Sequence, residues 1–317
     1  MNLIPILLHF FSTKRLILLP ALLLIIPNVC ATDTPETPFE RDSFVIGRVS
    51  DNPKKHFKTL KPLADYLAVN LHQYGIKKGN VIFAKDNQQM RQYIEQGKVD
   101  LVSETAFSAT ILSQTDHAEV ILRRWKKGVA NYCTLIFARK DSGINSLADL
   151  VDKTIAFQDP GSTSAFFIPS ATLIRNGFEL YPLKSIRDKP PKGKIGYVFA
   201  NSEINISAWV NNNIVDAGAF SNLNWENPKD MPDTFKQSLS VFYESEHFPR
   251  GVELIRSNID PRIKQAVTNL LLNADQTPKG QEALLAHQET KKYEPLSEQD
   301  SIMVITKALQ EIVSNQL

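Results

Sequence analysis

Residues 154–177 read TIAFQDPGSTSAFFIPSATLIRNG, a strand, a turn and the start of a helix in one stretch. Thr154 to Phe157 form a short apolar run that predicts a buried strand. Asp159-Pro160-Gly161 supply the turn. Ser162, Thr163 and Ser164 are helix-capping types, and Ala165 to Ile174 carry the apolar face of a helix that Gly177 would end. Pro169 lies beyond the first turn and has no N–H to donate, so a kink or a late, irregular helix start is expected there.

The same strand–helix rhythm extends in both directions. Upstream, Phe44–Val49 is a first strand, and the polar loop SDNPKKH leads into a helical pattern of Leu60, Leu63, Leu67 and Leu71. Val81–Ala84, Val99–Val102 and Tyr132–Ala138 are further strands, with a short helix at Gln88–Gln96. Downstream, Tyr197–Phe199, a helix at Ile204–Asn211 and Ile214–Phe220 repeat the β-α-β order. The stretch Asn222–Thr234, rich in Asn, Pro and Asp, reads as a connection. After a strand at Leu239–Phe242 the pattern ends in helices at Arg262–Leu272, Pro278–Ala286 and Ser301–Val313. Alternation of this kind predicts α/β layers built on mainly parallel sheets.

The chain has 317 residues, enough for one large domain or two lobes, with 43% hydrophobic and 22% charged residues and a mean hydropathy of −0.20. Lys14 and Arg15 precede an unbroken apolar run, Leu16–Ile26, and Val29-Cys30-Ala31 offers small residues for cleavage, so residues 1–31 read as a secretory signal. The run falls short of the roughly 20 apolar residues that a spanning helix needs. Cleavage after Ala31 would leave Cys133 as the sole cysteine, excluding an internal disulfide. It would also remove two of 36 basic residues and none of the 34 acidic ones, giving a neutral mature chain. That balance leaves no basic footprint for nucleic acid.

Three constellations could carry chemistry. The first is the helix start at Ser162, Thr163 and Ser164. The first N–H groups of a helix lack intrahelical partners and its dipole favours an anion there. One hydroxyl suffices for a structural cap, and three successive ones exceed that need. The second is acidic: Glu104 and Glu203 follow strand ends, where ligands bind in open α/β sheets. Beside an anion seat, a carboxylate accepts a hydrogen bond from a protonated oxyanion or pairs with an ammonium group; each could equally be a solvated loop residue. The third joins Tyr132, Phe107 and Trp209 with Arg48, a neutral donor, aromatic walls and a bidentate cation. No Gly-x-Ser-x-Gly elbow, phosphate-binding loop, His-Glu-x-x-His or Cys pair occurs, so no catalytic residue, metal ligand set or cofactor is expected. His117, His247 and His287 follow no ligand spacing and read as surface residues.

Taken in order, KPLADYLAVNL, IEQGKVDLV, NYCTLIFARKDSGINSLADL, the 154–177 stretch and IVDAGAFSN resemble the periplasmic solute-binding proteins of phosphate, phosphite and phosphonate ABC transporters. The resemblance runs from Phe44 to about Leu317. It implies a type II periplasmic-binding fold, with two α/β lobes joined by two hinge strands and a ligand cleft between them. One lobe would comprise residues 32–129 and 222–317, the other residues 130–221. Ser162, Thr163 and Ser164 then fall on the family's oxyanion seat, and Tyr132 on an aromatic that lines its cleft. The implied partners are a small oxyanion such as a phosphonate, phosphite or phosphate and an inner-membrane ABC permease, with a sensor receptor (kinase or cyclase) as the alternative. A monomeric periplasmic protein is expected. Two departures stand out. Ser202-Glu203-Ile204 replaces the family's usual Ser-His-Asp, with Asp216 kept at the expected distance downstream. Ser103-Glu104-Thr105 followed by Phe107 replaces Gly-Pro followed by Tyr. The oxyanion grip is expected to be retained, and the part that reads the rest of the ligand to be rebuilt.

Overall fold

The computed structural model describes residues 42–50, 52–114 and 116–296; the signal expected at residues 1–31 and the helix expected at Ser301–Val313 lie outside them. The first segment contains β1 (Ser43–Val49), α1 (Pro53–Asn70), β2 (Lys78–Ala84), α2 (Asn87–Glu95), β3 (Leu101–Glu104), α3 (Ala106–Leu112) and β4 (Ala118–Lys126). A short β5 (Asn131–Tyr132) leads into β6 (Thr134–Arg139), β7 (Thr154–Phe157), α4 (Ile168–Arg175), β8 (Leu180–Pro182), β9 (Ile195–Phe199), α5 (Glu203–Asn211) and β10 (Ala217–Ser221). Single-turn helices α6 (Asn222–Trp225) and α7 (Asp233–Lys236) precede β11 (Leu239–Glu244) and β12 (Phe248–Pro249). The chain then forms β13 (Val252–Arg256), α8 (Pro261–Leu272), α9 (Pro278–Ala286) and β14 (Thr290–Glu294).

The strands make two six-stranded sheets, ordered β14-β4-β13-β3-β1-β2 and β11-β6-β10-β7-β9-β8, within one compact unit. In the first sheet β2, β1 and β3 are parallel, whereas β13 runs antiparallel to β3 and β4, as β14 does to β4. This sheet is therefore mixed rather than mainly parallel, because its return strand enters from the opposite end. The second sheet keeps β8, β9, β7 and β10 parallel and adds β6 and β11 in antiparallel pairing.

The two crossings between sheets meet each other. Tyr132 of β5 pairs with Phe248 of β12, and Asn131 with Pro249, in a two-stranded antiparallel ribbon. Residues 222–244 belong to the second sheet, since Leu239 to Glu244 pair along β6. The boundary expected after residue 221 therefore falls too early. The Asn- and Pro-rich stretch after β10 is a local excursion, and the return crossing lies just after β11.

Amphipathic packing explains the first lobe. Leu60, Leu63, Leu67 and Leu71 recur at helical spacing and are all fully buried, against Phe44 and Ile46 of β1 and Val267, Leu271 and Leu284 of α8 and α9. Each such side chain contributes about 1.5–3 kcal/mol when buried. In the second sheet, alternate β6 residues serve opposite faces: Phe137 packs with Phe220 and Ile206, whereas Ile136 and Ala138 pack with Ile155 and Leu173.

The backbone of β2 lies close against that of α1. A Cβ on Gly79 would lie 2.2 Å from the Ala64 carbonyl oxygen. Gly79→Ala is expected to lower stability by about 1–3 kcal/mol, read as a reduced midpoint in urea with unchanged slope.

Candidate functional site

The helix start after β7 is irregular for a reason that lies in Pro169. A regular helix would have residue 169 donate its N–H to the Ala165 carbonyl, and proline has none. The chain instead makes a π turn over Thr163–Phe167, in which the Phe167 N–H reaches the Ser162 carbonyl at 2.9 Å, before α4 begins. The carbonyls released in this way are taken up from outside. Gln158 N–H donates to Ala165 O at 3.1 Å, and the Thr134 hydroxyl donates to Ser164 O at 2.8 Å. The turn is thus tied to the end of β7 and to β6.

Ser162 Oγ accepts from Ala165 N–H at 3.3 Å, so one hydroxyl of the three is the cap. Thr163 and Ser164 are buried and line the cleft between the two sheets. Thr163 Oγ1 has no completed hydrogen bond among the described residues, although the Tyr132 phenol lies close to it and to Ser164. Burial pushes the Tyr132 hydroxyl up to about 12, so it is a neutral donor. Tyr132 belongs to the crossing ribbon, and its ring packs on Phe248 with centroids 4.5 Å apart. Phe107, on α3 of the first lobe, stacks on Phe167 of the second at 4.3 Å and 28°. An apolar cluster of Ala106, Tyr132, Phe167, Ile168, Ala171 and Phe248 thus closes one end of the cleft across both lobes.

The two glutamates have different surroundings. Glu104 ends β3 and is 4% exposed, with Oε1 accepting from Val49 N–H at 2.7 Å and Oε2 from Thr105 N–H at 3.0 Å. It ties the end of β1 to the start of α3, so its lone pairs are largely used by the fold. Glu203 is the first residue of α5, half-buried on the opposite wall. Burial raises its pKa; its own N–H opposes this, and Asp230 and Asp159 add to the rise. Arg48 reaches the cleft from the end of β1, facing Glu104, Arg124 and Glu253. Asp216 does not line it: its Oδ2 accepts from Thr154 N–H at 2.8 Å, at the start of β7 and therefore at the far end of the sheet from Ser162. The cleft encloses about 1620 Å³.

Sequence reasoning missed several cleft residues. Lys126, Arg250 and Asp230 line it from segments without periodic or motif signal, and Asp159, read only as a turn residue, lines it as well. His287 is fully buried rather than superficial; its Nε2 lies 2.8 Å from Arg124 Nη1 and 3.1 Å from Ser103 Oγ. Burial and the neighbouring Arg124 hold this ring neutral, well below the usual histidine range. At the crossings, the ligand atoms of Cys133, Glu244 and His247 lie within 4.8 Å of one another, and the Cys133 thiol donates to Glu244 Oε1 at 3.3 Å. Burial, with Glu244 adding, pushes that thiol up to about 12, so a cation there would have to displace its proton.

Residues 46–301 match the family model described as "ABC transporter, phosphonate, periplasmic substrate-binding protein". The chain belongs to this family. Family members are substrate-binding proteins, and the fold is that of type II periplasmic-binding proteins. The phosphonates-binding periplasmic protein of Escherichia coli is 26% identical over 206 residues, 63% of this chain and 58% of the relative. The phosphate-import protein PhnD of Mycolicibacterium smegmatis is 26% identical over 218 residues, 67% of this chain and 66% of the relative. The matched region thus spans less than two thirds of either curated relative. XAC2383 from Xanthomonas citri, solved bound to ATP, is 34% identical, covers 86% of this chain and 99% of its own, and superposes with a TM-score of 0.80. PhnD1 from Prochlorococcus marinus shares the fold at 19% identity over 85% of this chain and 99% of its own, with a TM-score of 0.59.

The different roles of the two glutamates give a prediction. Glu104→Ala removes the acceptor of two backbone N–H groups and is expected to cost about 2–4 kcal/mol in chemical denaturation. Glu203→Gln is expected to shift stability by less than about 0.5 kcal/mol. Equal losses would make Glu203 a structural residue.

Proposed function

We propose that this protein captures a small phosphorus oxyanion in the cleft, in the periplasm, after export on residues 1–31, and presents it to an ABC permease. The observation that carries this reading is the helix start. Thr163 and Ser164 open the π turn ahead of α4 and line the cleft; the Ser164 carbonyl is engaged by Thr134 and the Thr163 carbonyl by the Ile168 N–H, while their own N–H groups, at the start of a helical segment, have no earlier helical carbonyl to bond. Tyr132 adds a neutral phenol beside them.

Neutral donors suit such a ligand. When lobes close and water leaves, each hydrogen bond to an oxyanion strengthens, and no fixed counter-charge is needed to release it again. Glu203 and Asp159 stand near this seat and would repel a fully ionised group, which favours an oxyanion that keeps one proton to donate. Phosphorus recurs in the names of the relatives: phosphonates for the Escherichia coli protein, phosphate for the mycobacterial one, and the phosphoryl-bearing ATP for XAC2383, which is also solved with chloride. They differ on what is attached to it. The replacement of the family's Ser-His-Asp by Ser202-Glu203-Ile204 is consistent with a different attached group.

Calorimetric titration of ligand-stripped protein with phosphate, phosphite, methylphosphonate, 2-aminoethylphosphonate and sulfate tests the reading. Binding of at least one phosphorus oxyanion is expected. Ser162→Ala combined with Thr163→Ala is expected to weaken it by about 1–3 kcal/mol, roughly 5- to 150-fold. No heat with any of the five, or an unchanged affinity in the double variant, would place the site elsewhere.

A further inference from the structure

Opposite the hydroxyl-lined helix start, the first lobe presents a set of cations with few counter-charges. Arg48 comes from β1, Lys126 is the last residue of β4, and Arg250 directly follows β12; all three line the cleft. Arg250 is held in place by donating from Nη1 to the Lys126 carbonyl at 2.7 Å. Arg48 is 9% exposed, and its Nε is buried with no hydrogen-bond partner among the described residues. Lys126 has no ion pair among those residues. Burial first, then Arg124, Arg48, Arg250 and Lys127, push its ammonium down to about 7.

The carboxylates within reach do not balance this. Glu104 already accepts two backbone N–H groups. Glu253 is fully buried, accepts from Ser103 Oγ at 2.9 Å, lies 3.4 Å from Arg124 Nε, and is itself pushed up to about 7 by burial. Arg48, Arg124, Lys126 and Arg250 thus face two engaged carboxylates. Lys127, the remaining neighbour, pairs with Glu289 at 3.8 Å. Buried cations retained for folding are ordinarily matched by carboxylates, because an unmatched buried charge is costly. Here the missing partner has a place to come from, the open cleft.

We propose that Arg48, Lys126 and Arg250 form a second anion subsite in the first lobe, so that the ligand carries two anionic groups, one for the helix start and one for these cations. The inference rests on the oxyanion reading above and extends it to a ligand class: a diphosphate, a phosphono-carboxylate or a phosphate monoester with a further acidic group. Three features agree with it. The cleft, at about 1620 Å³, far exceeds one tetrahedral oxyanion. Of its acidic groups, Asp159, Glu203 and Asp230 lie on the second lobe; on the first, Glu104 is engaged as described, and Asp86 accepts from the Gln89 N–H at 2.8 Å and lies 3.9 Å from Lys85. An anion spanning both walls would also draw the lobes together, since each end gains its contacts only when the other wall approaches.

The test compares methylphosphonate, with one anionic end, with pyrophosphate and phosphonoacetate, with two, by calorimetry on the full mature protein. At least one two-ended anion is expected to bind ten-fold or more tightly than methylphosphonate. Lys126→Met is expected to reduce that ratio to near one while leaving methylphosphonate affinity within two-fold. Arg250→Gln should act in the same direction and serves if the first variant folds poorly. An anion beside Lys126 raises its pKa from about 7, so binding at pH 8 should take up a proton in the wild type, measurable from the dependence of the heat on buffer ionisation, and less in Lys126→Met. Equal binding of one- and two-ended anions, or a Lys126→Met loss shared equally by methylphosphonate, would overturn the second subsite while the oxyanion seat stands. Failure of every phosphorus oxyanion to bind the wild type would overturn both.

Discussion

A proline without an N–H is the constraint around which the cleft is organised. Because Pro169 cannot satisfy Ala165 O, the helix opens as a π turn, and two carbonyls are passed to the Gln158 N–H and the Thr134 hydroxyl. Those two bonds fix the head of the helix against β7 and β6. A regular helix would have spent the Ser164 carbonyl internally and would have had no reason to hold Thr134 against it. The strength of any one bond is modest, about 1 kcal/mol, so the effect lies in placement.

The rest of the site depends on how the two sheets share their crossings. The β5–β12 ribbon joins them by a single pair of short strands, and Tyr132 within it touches the helix start. Motion of one lobe against the other would therefore pass through residues that line the cleft. The Phe107–Phe167 stack spans the lobes at the same end, which gives the cleft one closed side and one open side. The first-lobe cations face that space from the ends of β1 and β4 and from the link between β12 and β13.

Much of the fold was legible. The strand–turn–helix of residues 154–177, the leucine spacing of α1 and the β-α-β rhythm on either side were read correctly, since each is carried by local periodicity. The irregular start of α4 followed from Pro169 alone. What escaped was non-local. The antiparallel entry of β13, and the membership of β11 in the second sheet, depend on which strand accepts which, and no short window of sequence encodes that. The site divided along the same line. Thr163, Ser164 and Tyr132 lie together as their motif suggested. Asp216 keeps the family spacing but faces the other end of its sheet, and Lys126 and Arg250 meet only because β4 and β13 are neighbours. His287 gave no sign of burial, because its packing against Arg124 and Ser103 joins segments more than 150 residues apart.

The central claim is that the N–H groups of Thr163 and Ser164 receive an oxyanion. Amide resonances of the isotopically labelled protein report this directly during titration with a phosphorus oxyanion that binds. The account predicts large downfield shifts of the Thr163 and Ser164 amides, saturating with the calorimetric affinity, because a hydrogen bond to an anion deshields its proton. Saturable binding that leaves both amides in place, with shifts confined to other parts of the cleft, would contradict it.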